Sequence, residues 1–145
     1  VYSYEMRKDM QRVAISNLQA LDLAERVTFR HADIADGMEE RNLDAIFLDL
    51  PNPEDYLTQV RASLVNGGFF GSLLPTTNQV SLLLTALEAN HFGFVEVCEI
   101  LLRYYKPIAS RLRPADRMVA HTGFLIFARA LLGPPYSQDS KNLER

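Results

Sequence analysis

The sequence predicts a doubly wound α/β fold, built on a mostly parallel sheet that finishes in an antiparallel strand pair. Three observations predict it. Short apolar or β-branched runs alternate with stretches of helical periodicity, the pattern of parallel βαβ units. The run Asp44-Ala45-Ile46-Phe47-Leu48-Asp49-Leu50 lacks strict polar alternation, as expected of a parallel strand covered on both faces. The last two strand-like runs have no helical segment between them, so they are expected to pair antiparallel at one edge.

Composition sets the bounds. With 145 residues, 48% hydrophobic and 23% charged, the chain reads as one soluble globular domain. Folding at this size buries roughly 70% of the surface an unfolded chain exposes. Residues 1–132 are expected to fold, with 133–145 as a polar tail led by Gly133-Pro134-Pro135. The single cysteine, Cys98, excludes an internal disulfide and a Cys-rich zinc site, and it suits a reducing, cytoplasmic compartment. His31, His91 and His121 are scattered, without metal-ligand spacing, so no metal is expected. No apolar run reaches the ~20 residues of a membrane span. A net charge of −3 argues against binding a polyanion on bulk charge alone.

The elements follow in order. Val1 to Glu5 alternates like a strand. Asp9 is a candidate N-cap for a helix that turns Met10, Val13, Ala14, Leu18 and Leu21 inward. Arg26 to His31 is a second strand closing at Asp33, and Asp36-Gly37 signals a turn. The strand 44–50 is stopped by Pro51 and Pro53. Tyr56, Leu57, Val60 and Leu64 mark a helix, with Asn66-Gly67 as its C-terminal signal. Gly68 to Leu74 is a strand. Thr76-Thr77-Asn78 caps a helix with Val80, Leu83, Leu84 and Leu87 inward. Phe94 to Leu102 is a long strand, followed by a basic loop holding Arg103, Lys106, Arg111, Arg113 and Arg117. Thr122 to Ala128 is the last strand.

Three of these strands close on acids: Glu5, Asp33 and Asp49. Open α/β sheets bind ligands outside the carboxyl ends of their strands. Glu5 is placed where a carboxylate would accept both hydroxyls of a nucleotide ribose; its alternative is an acid at a helix N-terminus. Asp49, followed by Pro51 and Pro53, sits on a rigid loop. It either caps the next turn or stays available for a ligand, and Asn52, Glu54 and Asp55 can cap in its place. Gly67-Gly68-x-x-Gly71 follows a helix and is no phosphate loop. A nucleotide fold with its ribose acid but no glycine loop is expected to have its first strand upstream of Val1. The arginines at 111, 113 and 117 either bind phosphate or form a solvated loop.

Taken together these residues resemble the S-adenosylmethionine-dependent tRNA adenine-N1 methyltransferases that act on the T loop. The matching positions are Tyr4-Glu5-x-Arg7, Ala14-x-x-Asn17, Asp33-Ile34, Asp44-Ala45-x-x-Leu48-Asp49-Leu50-Pro51-x-Pro53, and Leu64-x-x-Gly67-Gly68. Pro75-x-x-x-Gln79-Val80, Glu99-x-x-x-Arg103, Arg113-Pro114, Met118, His121-Thr122-Gly123-Phe124-Leu125 and Ala128-Arg129 complete the match. The resemblance implies a Rossmann-like methyltransferase domain and an N-terminal β-rich module, with the first strand and glycine loop, ahead of Val1. It implies S-adenosylmethionine as cofactor, with Glu5 on its ribose and Asp33 and Ile34 at its adenine. Asp49 would lie between the methyl donor and the target base, as the catalytic residue. It implies tRNA as partner, contacted by Arg111, Arg113, Arg117 and His121, and assembly as a homotetramer. Glu54 departs from the pattern, which often has an aromatic there. Two other readings stand beside this one: a small-molecule or other RNA methyltransferase on the same fold, and a non-catalytic subunit or fragment. The retained acid of Asp49-Leu50-Pro51-x-Pro53 argues against the last.

Overall fold

The computed structural model describes residues 1–117 and 121–132. The chain divides after Glu40 into two compact units.

The first unit is a βαβ unit. Strand β1 (Tyr2–Tyr4) leads into helix α1 (Lys8–Gln19), and the chain returns through a 3-10 turn (Ala24–Arg26) to β2 (Thr28–Arg30). The strands are parallel, Tyr2 opposite Thr28 and Tyr4 opposite Arg30. The Glu5 N–H prolongs the ladder to the Arg30 carbonyl at 3.1 Å. A second 3-10 turn (Ile34–Asp36) closes on Gly37, whose φ of 102° requires a residue without Cβ. Two expectations for α1 are corrected. The N-cap position is Arg7, and Asp9 stands inside the first turn, where its charge favours the helix N-terminus and pairs with Arg7 at 2.9 Å. The half-buried stripe is Gln11, Ala14, Ile15 and Leu18, while Met10, Val13 and Leu21 are exposed. Two adjacent apolar stripes run along this helix, and only one can turn inward.

A polar network ties this unit together. The Tyr4 hydroxyl donates to Glu40 Oε2, and Arg30 donates through Nε and Nη2 to Glu40 Oε1 at 3.2 and 3.1 Å. The Glu39 N–H donates to the Tyr4 oxygen at 3.3 Å. The Tyr4 hydroxyl, more than Arg30, holds the Glu40 carboxyl below the usual 4.5. Burial pushes the Tyr4 phenol up, aided by its bond to Glu40. A depressed carboxylate stabilises the fold above its ordinary range and loses that contribution as pH falls through the folded value. Glu40→Gln should therefore flatten the acid limb of the Tm–pH curve below about pH 4.5. A limb identical to the wild type would exclude this network from acid stability.

The second unit opens with β3 (Leu43–Leu48) and a 3-10 turn (Pro53–Tyr56). Helix α2 (Leu57–Ser63), β4 (Leu64–Leu74), α3 (Thr77–Ala89) and β5 (Phe92–Cys98) follow. Then come β6 (Tyr105–Lys106), a 3-10 turn (Ala109–Arg111), β7 (Arg113–Pro114) and β8 (Phe124–Ala130). The sheet order is β3-β4-β8-β5. Strands β3 and β4 are parallel, and β8 runs antiparallel to both β4 and β5. The expected antiparallel edge pair is present, with β8 inserted between β4 and β5. Strands β6 and β7 form a short antiparallel ladder inside the basic segment, which was expected to be an irregular loop.

Period-2 alternation builds the core. Phe70, Ser72 and Leu74 of β4 and Ile126, Ala128 and Ala130 of β8 are buried, and α3 packs on β4, β5 and β8 through Val80, Leu83 and Leu87. The Phe70 and Phe92 rings meet at 5.5 Å, tilted by 55°. Buried Ser72 donates to the Leu48 carbonyl at 2.8 Å, which satisfies a hydroxyl that would be costly to leave unpaired.

Four readings of the sequence are corrected. Strand β3 is not covered on both faces: Leu48 is 4% exposed but Phe47 56%. Helix α2 stops at Ser63 without a glycine cap, and Asn66-Gly67 lies within β4, where Gly67 has a φ of 80°. Leu84 is exposed rather than inward. Strand β5 starts and ends earlier than expected, and carries a register shift between Gly93 and Glu96 with Phe94 at φ 51°. The tail 133–145 lies outside the described residues. Among the described residues no helix is long and apolar enough to cross a membrane.

Candidate functional site

In the first unit the parallel pairing brings Glu5 and Asp33 to the same end of β1 and β2. Both are half-buried. Glu5 Oε1 accepts from the Arg7 N–H at 2.7 Å, and among the described residues its second oxygen has no partner. Asp33 Oδ1 accepts from the Ala35 N–H at 2.9 Å, capping the 3-10 turn that Ile34 begins. Its other oxygen is likewise without a partner among the described residues. Each acid thus uses one oxygen to fix itself and presents the other.

In the second unit Asp49 follows β3 directly and is exposed. Pro53 is fully buried and anchors the loop. The turn is fastened by Asn52 Nδ2, which donates to Asp55 Oδ2 at 2.6 Å. Asn52 and Asp55 therefore bridge the turn, and among the described residues the Asp49 carboxylate has neither hydrogen bond nor ion pair. The loop is also held from α3: Gln79 Nε2 donates to the Pro51 carbonyl at 2.9 Å. Thr76 is the N-cap of that helix, accepting from the Gln79 N–H at 3.4 Å and donating to Gln79 Oε1 at 2.6 Å. The signal for this was in the sequence, since Thr76-x-x-Gln79 is a capping-box spacing. Its link to Pro51 was not.

His121 stands at the entry to β8. Gly123 allows the chain to press against β4 there: a Cβ at that residue would lie 2.9 Å from Leu73 Cδ1 and 3.4 Å from the Leu74 carbonyl oxygen. The ring meets Glu99 Oε1 through Nδ1 at 2.5 Å and the Pro75 carbonyl oxygen through Nε2 at 2.7 Å. The Pro75 carbonyl first, and Glu99 second, raise its pKa above 6.5.

Of the basic segment, Lys106 is paired with Asp116. Arg111, Arg113 and Arg117 are exposed and have no ion pair among the described residues. Arg103 and Arg117, with Ile100, Leu102 and Tyr104, line a cavity of about 340 Å³. Among the described residues no cluster of His, Cys, Asp and Glu could hold a metal ion.

Comparison with known proteins bears on this arrangement. A family model described as the tRNA methyltransferase complex GCD14 subunit matches residues 1–112. The chain is 31% identical over 130 residues to tRNA (adenine(58)-N(1))-methyltransferase TrmI of Thermus thermophilus, across 89% of this chain and 51% of the relative. A SAM-dependent O-methyltransferase of Thermotoga maritima superposes with a TM-score of 0.88 at 44% identity, over 94% of this chain and 51% of its own. A tRNA (m1A58) methyltransferase TrmI of Aquifex aeolicus gives 0.83 at 42% identity, over 92% and 54%. The fold of the chain is that of the Rossmann-like methyltransferases, and it spans about half the length of these relatives.

Proposed function

The chain belongs to the GCD14 tRNA methyltransferase family, and on that premise we propose that its protein transfers a methyl group from S-adenosylmethionine to N1 of an adenine in the tRNA T loop. The observation that carries this reading is Asp49: a carboxylate on a proline-braced loop whose own turn is fastened by other residues. When bound, the cofactor supplies a methyl carbon made electrophilic by its sulfonium. The acids of the first unit suit its nucleoside. The oxygen of Glu5 that has no partner among the described residues would accept from ribose hydroxyls and that of Asp33 from the adenine amine, with Ile34 against the adenine ring.

Asp49 accepts from the N6 amine of the target adenine and so orients N1. The base becomes cationic as the N1–carbon bond forms, and a fixed carboxylate stabilises that charge most where it is greatest, in the transition state. No general base is required, because N1 attacks through a lone pair. The target lies within folded RNA, so it must leave its stack to react. Arg111, Arg113 and Arg117, unpaired among the described residues, serve as phosphate contacts, whereas both ring nitrogens of His121 are engaged within the fold. The apolar exposure of Phe94, Ile100, Leu101 and Leu102 supports assembly with further copies; a homotetramer is the assembly that the family resemblance implies.

The Thermotoga relative, described as an O-methyltransferase, favours a second reading in which the acceptor is a hydroxyl. That chemistry needs a base to take the hydroxyl proton, and Asp49 would be it. The test is to treat unmodified tRNA with the protein that carries this chain and identify the methylated nucleoside. N1-methyladenosine is expected; a methyl ether, or no transfer to RNA, would reject the proposal. In the same protein, Arg111→Ala with Arg113→Ala should weaken tRNA binding and lower the salt slope by about two.

A further inference from the structure

We propose that His121 is a positioning residue of this site, clasping the ends of β4 and β5 and through them holding the loop that carries Asp49. The proposal rests on the reading of Asp49 given above. Its basis is an unbroken run of contacts. Glu99, just beyond β5, meets His121 Nδ1 at 2.5 Å, and His121 Nε2 meets the Pro75 carbonyl at 2.7 Å. Thr76, next in the chain, caps α3 and bonds Gln79. Gln79 reaches the Pro51 carbonyl at 2.9 Å, two residues from Asp49.

The clasp has a definite protonation state. A backbone carbonyl only accepts, and so does an ionised Glu99. Both contacts are hydrogen bonds together only when both ring nitrogens carry protons, as in the imidazolium. Among the described residues, the groups facing the ring are Glu99 from beyond β5, the Pro75 carbonyl from beyond β4, and the Phe124 ring of β8 at 4.9 Å. Its pKa is raised, so the cation is the form that the fold favours. The clasp is complete below the folded pKa and opens as pH rises through it. Losing a proton removes one of the two bonds and frees the β4 end, the N-cap of α3 and the Pro51 loop from that restraint.

An NMR titration of the chain tests this. The His121 ring signals should titrate above 6.5, and the amide signals of Thr76, Gln79 and Asn52 should move with the same midpoint. Glu99→Gln keeps an acceptor but removes its charge, so it should shift all four transitions together to lower pH. In the protein that carries this chain, the alkaline limb of kcat should shift likewise, with KM for tRNA unchanged. A His121 midpoint unmoved by Glu99→Gln, or amides at 76, 79 and 52 indifferent to it, would overturn the clasp, even where Asp49→Ala abolishes turnover. Coupled amides with a fully active Asp49→Ala would instead overturn the Asp49 reading and leave the clasp as what holds that loop.

Discussion

Asp49→Ala is expected to lower kcat of the protein that carries this chain by about 100- to 1,000-fold, the range seen when one preorganised electrostatic partner of a transition state is removed. The affinity for S-adenosylmethionine should change little. The argument is differential. On the proposed reading the carboxylate would meet a neutral amine in the ground state and a cationic base in the transition state, so its removal would cost more in the second. Asp49→Asn keeps the size and an acceptor but loses the charge, and should fall between the two. The fold should be indifferent, because the carboxylate is exposed and Asn52 with Asp55 holds the turn. Equal losses in turnover and cofactor affinity would assign Asp49 to cofactor binding alone. Single-turnover kinetics with separate cofactor titrations distinguish these results.

Phe70→Ala should destabilise the chain by about 3–5 kcal/mol, the usual cost of truncating a buried phenylalanine. Phe70 is 1% exposed, lies mid-strand in β4 and packs with its ring tilted against Phe92. Its removal leaves a void bounded by a strand paired on both sides, which cannot easily collapse. The exposed neighbour provides the control. Phe69 is 51% exposed, with the Arg129 guanidinium 3.1 Å from its ring centroid, so Phe69→Ala gives up a partly solvated contact and should cost far less. Urea unfolding of the two variants measures the contrast. Equal losses would mean that the two faces of this strand contribute alike, against the burial pattern.

Some residues were legible because their chemistry is local. The strand before Glu5, the strand before Asp49, the proline stop and the Thr76 cap depend on neighbours within four positions, and each is found where the pattern places it. The α2 boundary failed for the same reason in reverse. Asn66-Gly67 is a helix-stop signal, but pairing of Leu64 with Leu43 claims the chain for the sheet two residues before Asn66. The inward stripe of α1 and the coverage of β3 failed because periodicity states which residues share a face, not whether anything covers it. Glu99, Gln79 and the Pro51 carbonyl became parts of one site only through contacts between residues 22 to 46 positions apart.

The sequence by itself determined the alternation of strands and helices, the acids that follow three of the strands, and the motif that marks the methyltransferase family. These are properties of short windows, where side-chain period and backbone preference act directly. Only the tertiary structure decided the insertion of β8 between β4 and β5, which oxygens of the acids remain unpartnered among the described residues, and the engagement of both nitrogens of His121. Those depend on distant segments meeting at hydrogen-bond distance, and burial and strand pairing set that geometry for the whole unit at once.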